Sequence, residues 1–356
     1  MQCWKIVLIV IMISMCCGCS NRELEERGFP LTIAIDKSER GMTVSFELPD
    51  LSKSAGEKNP IAKPMSFSVE AGAYYEAQKA YENNSNGVLD YNHLKAIIIG
   101  KEFIEDTKAL RDLLSWLEQE KVVARNTCLF VATDKAAELL TLTKGSGGSV
   151  GNYLEQMVKT REDLKENKVM TIGSLMNQWH NQNEVLLIPV LRNQGGIPAV
   201  TEYAVVDAAI YQGKIPVSDA LKSLLCQQQL KQFLYRLESG EVLEIENIKR
   251  NVKIQEMEKG IEVSLVLKGY ANVKKAGSQG EKSNGQIEKK LNQQLKKSLE
   301  TVAEKLHQEL GMDICNSYIL LGGHNRRIYQ KYQHDYKGYK KQVIFNFSVD
   351  ITLVNE

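Results

Sequence analysis

Residues 287–311 read Ile-Glu-Lys-Lys-Leu-Asn-Gln-Gln-Leu-Lys-Lys-Ser-Leu-Glu-Thr-Val-Ala-Glu-Lys-Leu-His-Gln-Glu-Leu-Gly and carry the clearest structural pattern of the chain. Aliphatic side chains recur every three or four residues, which is the spacing of one helix face. Gly311 stands where a helix C-cap belongs, and Ser283 with Gln286 has the spacing of a capping box. We predict one long helix whose apolar stripe consists of Ile287, Leu291, Leu295, Leu299, Val302, Leu306 and Leu310.

The outer face of this helix is strongly charged. Four of its lysines would suit a partner or a membrane surface, but four glutamates balance them and favour packing of the helix on its own domain. These residues are Lys289, Lys290, Lys296, Lys297, Glu288, Glu300, Glu304 and Glu309.

The last residues of the chain show the two-residue alternation of a β-strand. Val343, Phe345, Phe347, Val349, Ile351 and Leu353 alternate with polar residues, which predicts a half-buried strand over 342–354. Further strands are predicted at 29–36, 42–48, 94–99, 127–132, 185–191, 203–211, 244–255 and 261–270, the first two as a hairpin. Helices are predicted at 72–81, from a cap at Thr107, and at 152–165, 171–181 and 217–238.

This order of elements predicts an α+β protein with mixed α/β regions and sheets packed by amphipathic helices. A chain of 356 residues is too long for one ordinary domain. We place the boundary at 192–199, where glycine, proline and polar residues separate two apolar runs. The predicted units are an N-terminal α/β region at 29–195 and a C-terminal α+β domain at 200–356, with a flexible glycine-rich link at 144–151.

The start of the chain predicts export and lipid attachment. Lys5 and an apolar run at 6–15 lead to Cys-Cys-Gly-Cys, and the run is shorter than the roughly 20 residues of a membrane-spanning helix. We predict a lipoprotein signal peptide at 1–18, diacylglycerol on Cys19 and a charged tether at 19–28. An uncleaved membrane anchor and ordinary secretion are the alternatives.

The composition excludes several classes of function. Lys5 is the one charged side chain of the leader, so the chain from Cys19 carries 44 basic and 44 acidic residues, and nothing indicates nucleic-acid binding. Outside the leader, three cysteines remain besides Cys19. Because they are few and far apart, they predict buried thiols instead of disulfides or a zinc site. These three are Cys128, Cys226 and Cys315.

The chain shows no recognisable catalytic or cofactor pattern. The glycines near residue 147 lack the spacing of a phosphate loop, and no Gly-x-Ser-x-Gly elbow occurs. The segment 323–327 could hold an anion, although a solvated turn is favoured. The histidines lack the paired spacing of metal ligands, so we expect no metal, no cofactor and no enzymatic activity. These histidines are His93, His180, His307, His324 and His334.

Five segments, in this order, resemble the Ger(x)C family, the lipoprotein C subunits of bacterial spore germinant receptors. They are Cys-Ser-Asn-Arg-Glu-Leu at 19–24, Thr-Ile-Ala-Ile-Asp-Lys at 32–37, and Tyr-Asn-His-Leu-Lys-Ala-Ile-Ile-Ile-Gly at 91–100. Met-Asp-Ile at 312–314, followed by an aromatic and basic segment, and the alternating strand at 343–353 complete the set. The family's Trp-Asp pair is Ser-Asn at 20–21 in this chain.

The resemblance implies a tethered receptor subunit without catalytic residues. It implies a position on the outer face of the inner spore membrane and assembly with a multi-spanning A subunit and a transporter-like B subunit in nutrient-triggered germination. The alternative function is a lipid-anchored solute-binding protein of a transporter, which would need two similar lobes around a cleft. A lipid-anchored enzyme is the third candidate.

Overall fold

The fold is built on a large mixed sheet and a smaller sheet that share an apolar core. The computed structural model describes residues 26–49, 64–85, 87–119, 123–142, 148–161, 171–180, 183–208, 210–275 and 283–354. The strands are β1 (Arg27–Gly28), β2 (Thr32–Ser38), β3 (Gly41–Pro49), β4 (Pro64–Ala71), β5 (Val88–Leu89), β6 (Ala96–Ile99), β7 (Cys128–Ala132), β8 (Val185–Gln194), β9 (Ile197–Asp207), β10 (Ile210–Pro216), β11 (Phe233–Arg236), β12 (Val242–Met257), β13 (Gly260–Lys275) and β14 (Val343–Leu353).

The helices in these ranges are α1 (Tyr74–Ser85), α2 (Lys101–Glu105), α3 (Thr107–Gln119), α4 (Ala136–Leu139), α5 (Val150–Thr160), α6 (Ile172–His180), α7 (Val217–Cys226), α8 (Asn284–Leu310), α9 (Ser317–His324), α10 (Arg326–Tyr332) and α11 (Tyr336–Gln342). A 3₁₀ turn covers Tyr91–His93. Helices and strands both contribute heavily, which confirms the predicted α+β class.

The large sheet has eight strands in the order β10-β9-β8-β7-β6-β2-β3-β4. Its centre is parallel, since β2 pairs with β6, β6 with β7 and β7 with β8 in the same direction. Parallel strands are covered on both faces and therefore need continuous apolar sequence, as in the fully buried β6 and β7. Helices α1, α2, α3 and α6 cover one face, and α4, α5 and α7 pack on the other.

The small sheet has the order β11-β12-β13-β14. β14 runs parallel to β13, with Val343 opposite Ile261. After β13 the chain must therefore return, through α8 to α11, to the end of the sheet where β13 begins. Helix α8 packs on β14. Its predicted stripe is buried from Ile287 to Leu306, with Leu310 half-buried, and Gly311 adopts the left-handed C-cap conformation.

Several predicted elements are confirmed. The first hairpin forms as β2 and β3, and the predicted strands at 94–99, 127–132, 185–191, 244–255 and 261–270 all contain strands of the sheets. The closing strand alternates as predicted, with Val343, Phe347 and Ile351 buried. Helices also form at the predicted positions 72–81, 152–165 and 171–181, although residues 162–170 and 181 lie outside the described residues.

The predicted helix at 217–238 is wrong in its second half. Helix α7 ends at Cys226, Gln228 adopts a left-handed conformation, and 233–236 forms the edge strand β11. The polar glutamines favour a helix locally, but pairing with β12 and burial of Leu230 decide the conformation. The predicted strand at 203–211 is likewise divided, because Ala208 has a left-handed backbone between β9 and β10.

Two local predictions need correction, and a third lies partly outside the described residues. Helix α3 is capped by Asp106 and not by Thr107, since Asp106 Oδ1 accepts hydrogen bonds from Lys108 N and Ala109 N. Ser283 is the N-cap residue of α8, but its side chain makes no capping hydrogen bond. Residues 144–147 of the predicted link at 144–151 lie outside the described residues, and its last two residues, Val150 and Gly151, already belong to α5, which Ser149 caps.

The segment 192–199, where we predicted the domain boundary, forms a two-residue hairpin turn between β8 and β9. Gly195 and Gly196 both have positive φ, which is the backbone that a tight hairpin turn requires. The large sheet therefore continues through β9 and β10. The division into two units at this point stays a prediction.

Candidate functional site

The predicted lipid site, Cys19, lies outside the described residues, but the point at which the tether enters the fold is described. β1 pairs with β5, and Arg27 makes a 3.0 Å ion pair with Asp90. The ring of Phe29 packs edge-on against that of His93, with centroids 5.3 Å apart. The end of the predicted tether is thus fixed to the turn that carries the His-Leu-Lys segment. Among the residues that the structure describes, no helix has the length and apolarity needed to cross a membrane.

Two of the family-like segments meet where the parallel strands end. Asp36, at the end of β2, accepts hydrogen bonds from the backbone N–H groups of Ala136 at 2.7 Å and Ala137 at 2.9 Å. These are N–H groups at the start of α4, which lack partners within the helix. Gly100, after β6, lies so close that a Cβ there would be 2.1 Å from Asp36 Oδ1. Burial raises the pKa of Asp36, and the two N–H bonds oppose that effect.

The neighbouring residue, Lys37, forms an ion pair beside a cavity at the same sheet edge. Its Nζ lies 3.0 Å from Asp106 Oδ2, and hydrogen bonds from Ala109 N and Lys37 lower the pKa of Asp106. A cavity of about 470 Å³ opens beside this pair and is lined in part by the aromatic side chains of Tyr74 and Trp116. Such crevices at the carboxyl ends of parallel strands are where α/β sheets commonly bind small ligands.

A second cavity, of about 310 Å³, lies at the same sheet edge. Four acidic and three basic side chains surround it, so the two charges nearly balance. Its lining consists of Asp36, Lys37, Lys101, Glu102, Asp134, Lys135 and Glu138.

A third carboxylate, Glu47, was not predicted as a special residue. It is buried within β3 and accepts hydrogen bonds from Val150 N at 2.6 Å, Gly151 N at 3.0 Å and Thr32 Oγ1 at 2.5 Å. It therefore holds the first turn of α5 against the sheet. The available signal was an acid inside the apolar run of β3, because a buried charge needs partners.

In the C-terminal half the family-like Met-Asp-Ile segment forms a buried hydrogen-bond centre. Asp313 accepts from Ser317 Oγ at 2.8 Å, Tyr318 N at 3.1 Å and Cys315 N at 3.2 Å. Ser317 Oγ also lies 2.8 Å from the hydroxyl of Tyr339. Burial raises the pKa of Asp313 above its ordinary value, and the hydrogen bonds that it accepts oppose this effect without cancelling it. Asp313 thus fixes the start of α9 in the same way that Asp36 and Glu47 fix α4 and α5.

Polar contacts tie this region to the large sheet. Asn316 accepts from Val185 N at 2.9 Å and donates to Val185 O at 3.2 Å, which prolongs the hydrogen bonding at the start of β8. Lys340 pairs with Asp207, which is 2 % exposed at the end of β9. The C-terminal helical region is therefore joined to the large sheet by specific bonds as well as by the shared apolar core.

The histidines lie apart from one another in different surroundings. His93 packs on Phe29, His180 contacts Glu118 at 2.7 Å on the surface, and His307 Nδ1 lies 3.4 Å from Met312 O. Within the described ranges, no group of three or more His, Cys, Asp and Glu side chains could hold a metal ion. The predicted burial of the three thiols is confirmed, for Cys128, Cys226 and Cys315.

The segment at 323–327, considered as an anion site, is a junction between two helices. Asn325 ends α9 and begins α10, and its side chain accepts a hydrogen bond from Ile328 N. Its amide also donates to Ile254 O at 3.2 Å. The observed contacts are those of a helix cap, and the segment is a junction of two helices instead of the solvated turn that was favoured.

Comparison with solved structures gives one protein with a similar fold, described as the crystal structure of the GerBC protein. The TM-score is 0.61 at 14 % sequence identity, and the match covers 91 % of this chain and 97 % of that chain. No sequence among curated proteins matches the chain. At this identity the likeness establishes the fold alone.

Comparison with models of protein families gives two matches in sequence order. Residues 20–193 match the family described as spore germination protein N-terminal domain. Residues 212–356 match the family described as spore germination B3/GerAC like, C-terminal. Together these matches span nearly the whole chain from Ser20, and the chain therefore belongs to the GerAC-like family of spore germination proteins.

Proposed function

We propose that this protein is the lipid-anchored C subunit of a spore germinant receptor, which nutrient-triggered germination requires and which has no catalytic role. The observation that carries the proposal is the pair of family matches, at 20–193 and 212–356, in the order that the family-like segments occupy. A receptor subunit of this kind acts with other receptor subunits. Its partners in this proposal are the A and B membrane subunits.

The internal bonding of the family-like segments supports an accessory role. Asp36 and Asp313 lie within these segments, and each accepts hydrogen bonds at the start of a helix. Gly100 is required by close packing against Asp36. These residues stabilise a scaffold, and a scaffold that presents a fixed surface is suited to assembly or signal coupling.

The proposed anchor determines which part of the scaffold lies near the membrane. Residues 20–25 separate Cys19 from the first described residue, Glu26, and an extended chain spans at most about 3.6 Å per residue. Glu26 would then lie within about 25 Å of Cys19. β1 follows directly after Glu26, and Arg27 of β1 is paired with Asp90, next to the turn at Tyr91–His93. The proposed location is the outer face of the inner spore membrane.

Deletion of the gene tests the receptor function. Spores of the deletion strain and the wild type should be compared with a panel of amino acids, sugars and nucleosides, and then with a nutrient-independent trigger. We expect a slower response to the nutrients of one receptor, with normal growth, normal spore yield and a normal response to the other trigger. Equal responses to every nutrient, in a strain without a paralogous receptor, would contradict the proposal.

A second experiment tests the partners. The wild-type protein should co-purify from spore membranes with one A and one B subunit, and it should do so after crosslinking in intact membranes. Recovery of an ATP-driven transporter in their place would favour the solute-binding alternative. That alternative is supported by the cavity beside Tyr74 and Trp116, but the two sheets, of eight and four strands, do not form two similar lobes.

A further inference from the structure

Two of the three buried cysteines lie together although they are far apart in sequence. Cys226 is the last residue of α7, and Cys315 lies in the turn between α8 and α9. Both are 0 % exposed. Arg250 of β12 donates from a single nitrogen, Nη1, to the carbonyl oxygen of Cys226 and to that of Cys315, the latter at 2.9 Å. The two peptide groups are therefore held side by side.

The side chains of the pair also interact. After burial, Cys226 is the neighbour that contributes most to the raised pKa of the Cys315 thiol, so the two thiols lie close to each other. A further bond joins the same segments, since Ser223 Oγ donates to Ile314 O at 3.5 Å. Two neighbouring thiols on adjacent backbone segments are an arrangement from which a disulfide can form with little movement.

We propose that Cys226 and Cys315 form a disulfide that links the end of α7 to the turn before α9. The oxidant in this proposal is a small or protein disulfide. One thiolate attacks it and releases one thiol, and the second thiolate then attacks the mixed disulfide and releases the other thiol. One S–S bond forms and one is broken, two electrons pass to the oxidant's disulfide, and the two thiol protons pass to the released thiols.

The environment of the pair determines when the bond forms. Burial, and after it the interaction with Cys226, raises the pKa of the Cys315 thiol well above its ordinary value. A buried neutral thiol is a poor nucleophile, so the folded and reduced protein should react slowly. The bond should form readily during folding, before α8 and α9 close over the pair.

The disulfide would stabilise the fold mainly by reducing the conformational entropy of the unfolded chain. It closes a loop that contains β11, β12, β13 and the whole of α8, and long loops lose much conformational entropy when they are crosslinked. Export, which is part of the proposed function, would place the pair in a compartment where disulfides persist. The chemistry of the pair does not depend on that location.

Differential alkylation of the full-length protein tests the proposal. The purified chain is refolded from denaturant with reduced and oxidised glutathione, unfolded again, labelled with one alkylating reagent, reduced and labelled with a second. We expect the second label on the peptides of Cys226 and Cys315 and the first label on that of Cys128. The thermal midpoint should rise by roughly 5 °C relative to protein refolded with dithiothreitol, and dithiothreitol should abolish the rise.

Variants separate the bond from effects on folding. Cys128→Ala should keep both the labelling pattern and the rise in the thermal midpoint. Cys226→Ser and Cys315→Ser should each lose the rise and show the first label on the remaining cysteine of the pair. The first label on all three peptides under every condition, a bond to Cys128, or a lower midpoint after oxidation would overturn the proposal. Protein isolated from spores without reduction gives the corresponding result for the natural compartment.

Discussion

The carboxylate of Asp36 and the α-carbon of Gly100 are so close that a methyl group on Gly100 would lie 2.1 Å from Asp36 Oδ1. The two residues belong to different family-like segments: Asp36 lies in β2, and Gly100 directly follows the adjacent parallel strand β6. The carboxylate cannot easily move aside, because it accepts hydrogen bonds from Ala136 and Ala137. A small residue at position 100 is therefore a condition for the start of α4.

Gly100→Ala should destabilise the protein by roughly 1 to 3 kcal/mol, because overpacking must displace a bonded carboxylate. Urea unfolding of the fragment from Ser20 onward measures this change. Gly285→Ala is the matched control, since no atom lies within 4 Å of its added carbon and the site is in a helix. Equal stability of the two variants would show that Asp36 can move without loss of its bonds.

Asp36→Asn tests the electrostatics of the same site. Burial raises the pKa of Asp36 above its ordinary value of 3.8, so the folded protein retains a proton that the unfolded chain releases. The contribution of this group to stability is therefore present below pH 3.8 and is lost as pH rises through the raised pKa. The free energy of unfolding of the wild type relative to Asp36→Asn should fall over that window.

Unfolding in urea at a series of pH values, starting below pH 3.8, measures this difference. Asp350→Asn, on the exposed face of β14, controls for the loss of one charge. If the free energy of unfolding of the wild type rises with pH relative to that of Asp36→Asn, the assigned direction of the pKa shift is contradicted.

Leu299→Ala tests the packing of the long helix. Leu299 is fully buried in the stripe of α8, so removal of its methyl groups should cost roughly 2 to 5 kcal/mol. Gln293→Ala, at an exposed position of the same helix, should change stability by less than about 0.5 kcal/mol. Unchanged thermal unfolding of Leu299→Ala would indicate an exposed face and revive the partner-helix interpretation.

Cys19→Ala tests the proposed anchor. Each buried acyl methylene contributes about 0.8 kcal/mol to membrane binding, and stable attachment takes more than one chain. The variant should incorporate no labelled fatty acid and should be washed from membranes, whereas Cys3→Ala should behave as the wild type. Labelling of Cys19→Ala at the wild-type level would show that Cys19 is not the attachment site of the lipid.

Two kinds of sequence signal predicted structure correctly. The stripe of α8 and the alternation of β14 follow from the period of the helix and of the strand, so burying one face is enough to specify each element. The continuous apolar runs of β6 and β7 predicted buried strands for the same reason. Local apolar pattern was therefore sufficient wherever one element had one clear way to bury its side chains.

Sequence signals failed where a distant segment decided the outcome. The chain beyond α7 has helical composition, but β12 offers an edge to which 233–236 pairs. The importance of Glu47 depends on α5, which begins about a hundred residues later in the chain. Periodicity reports only the neighbours along the chain, so neither contact could be derived from it.

The α+β class, the long amphipathic helix, the closing strand and the family were predictable from the amino-acid order, because they depend on local period and on ordered short segments. The close approach of Asp36 and Gly100, the bonds of Asp313 at the start of α9 and the bonds of Arg250 to the carbonyl groups of Cys226 and Cys315 became visible in the folded chain alone. A buried polar group is defined by its partners, and in this fold many of those partners come from distant parts of the chain.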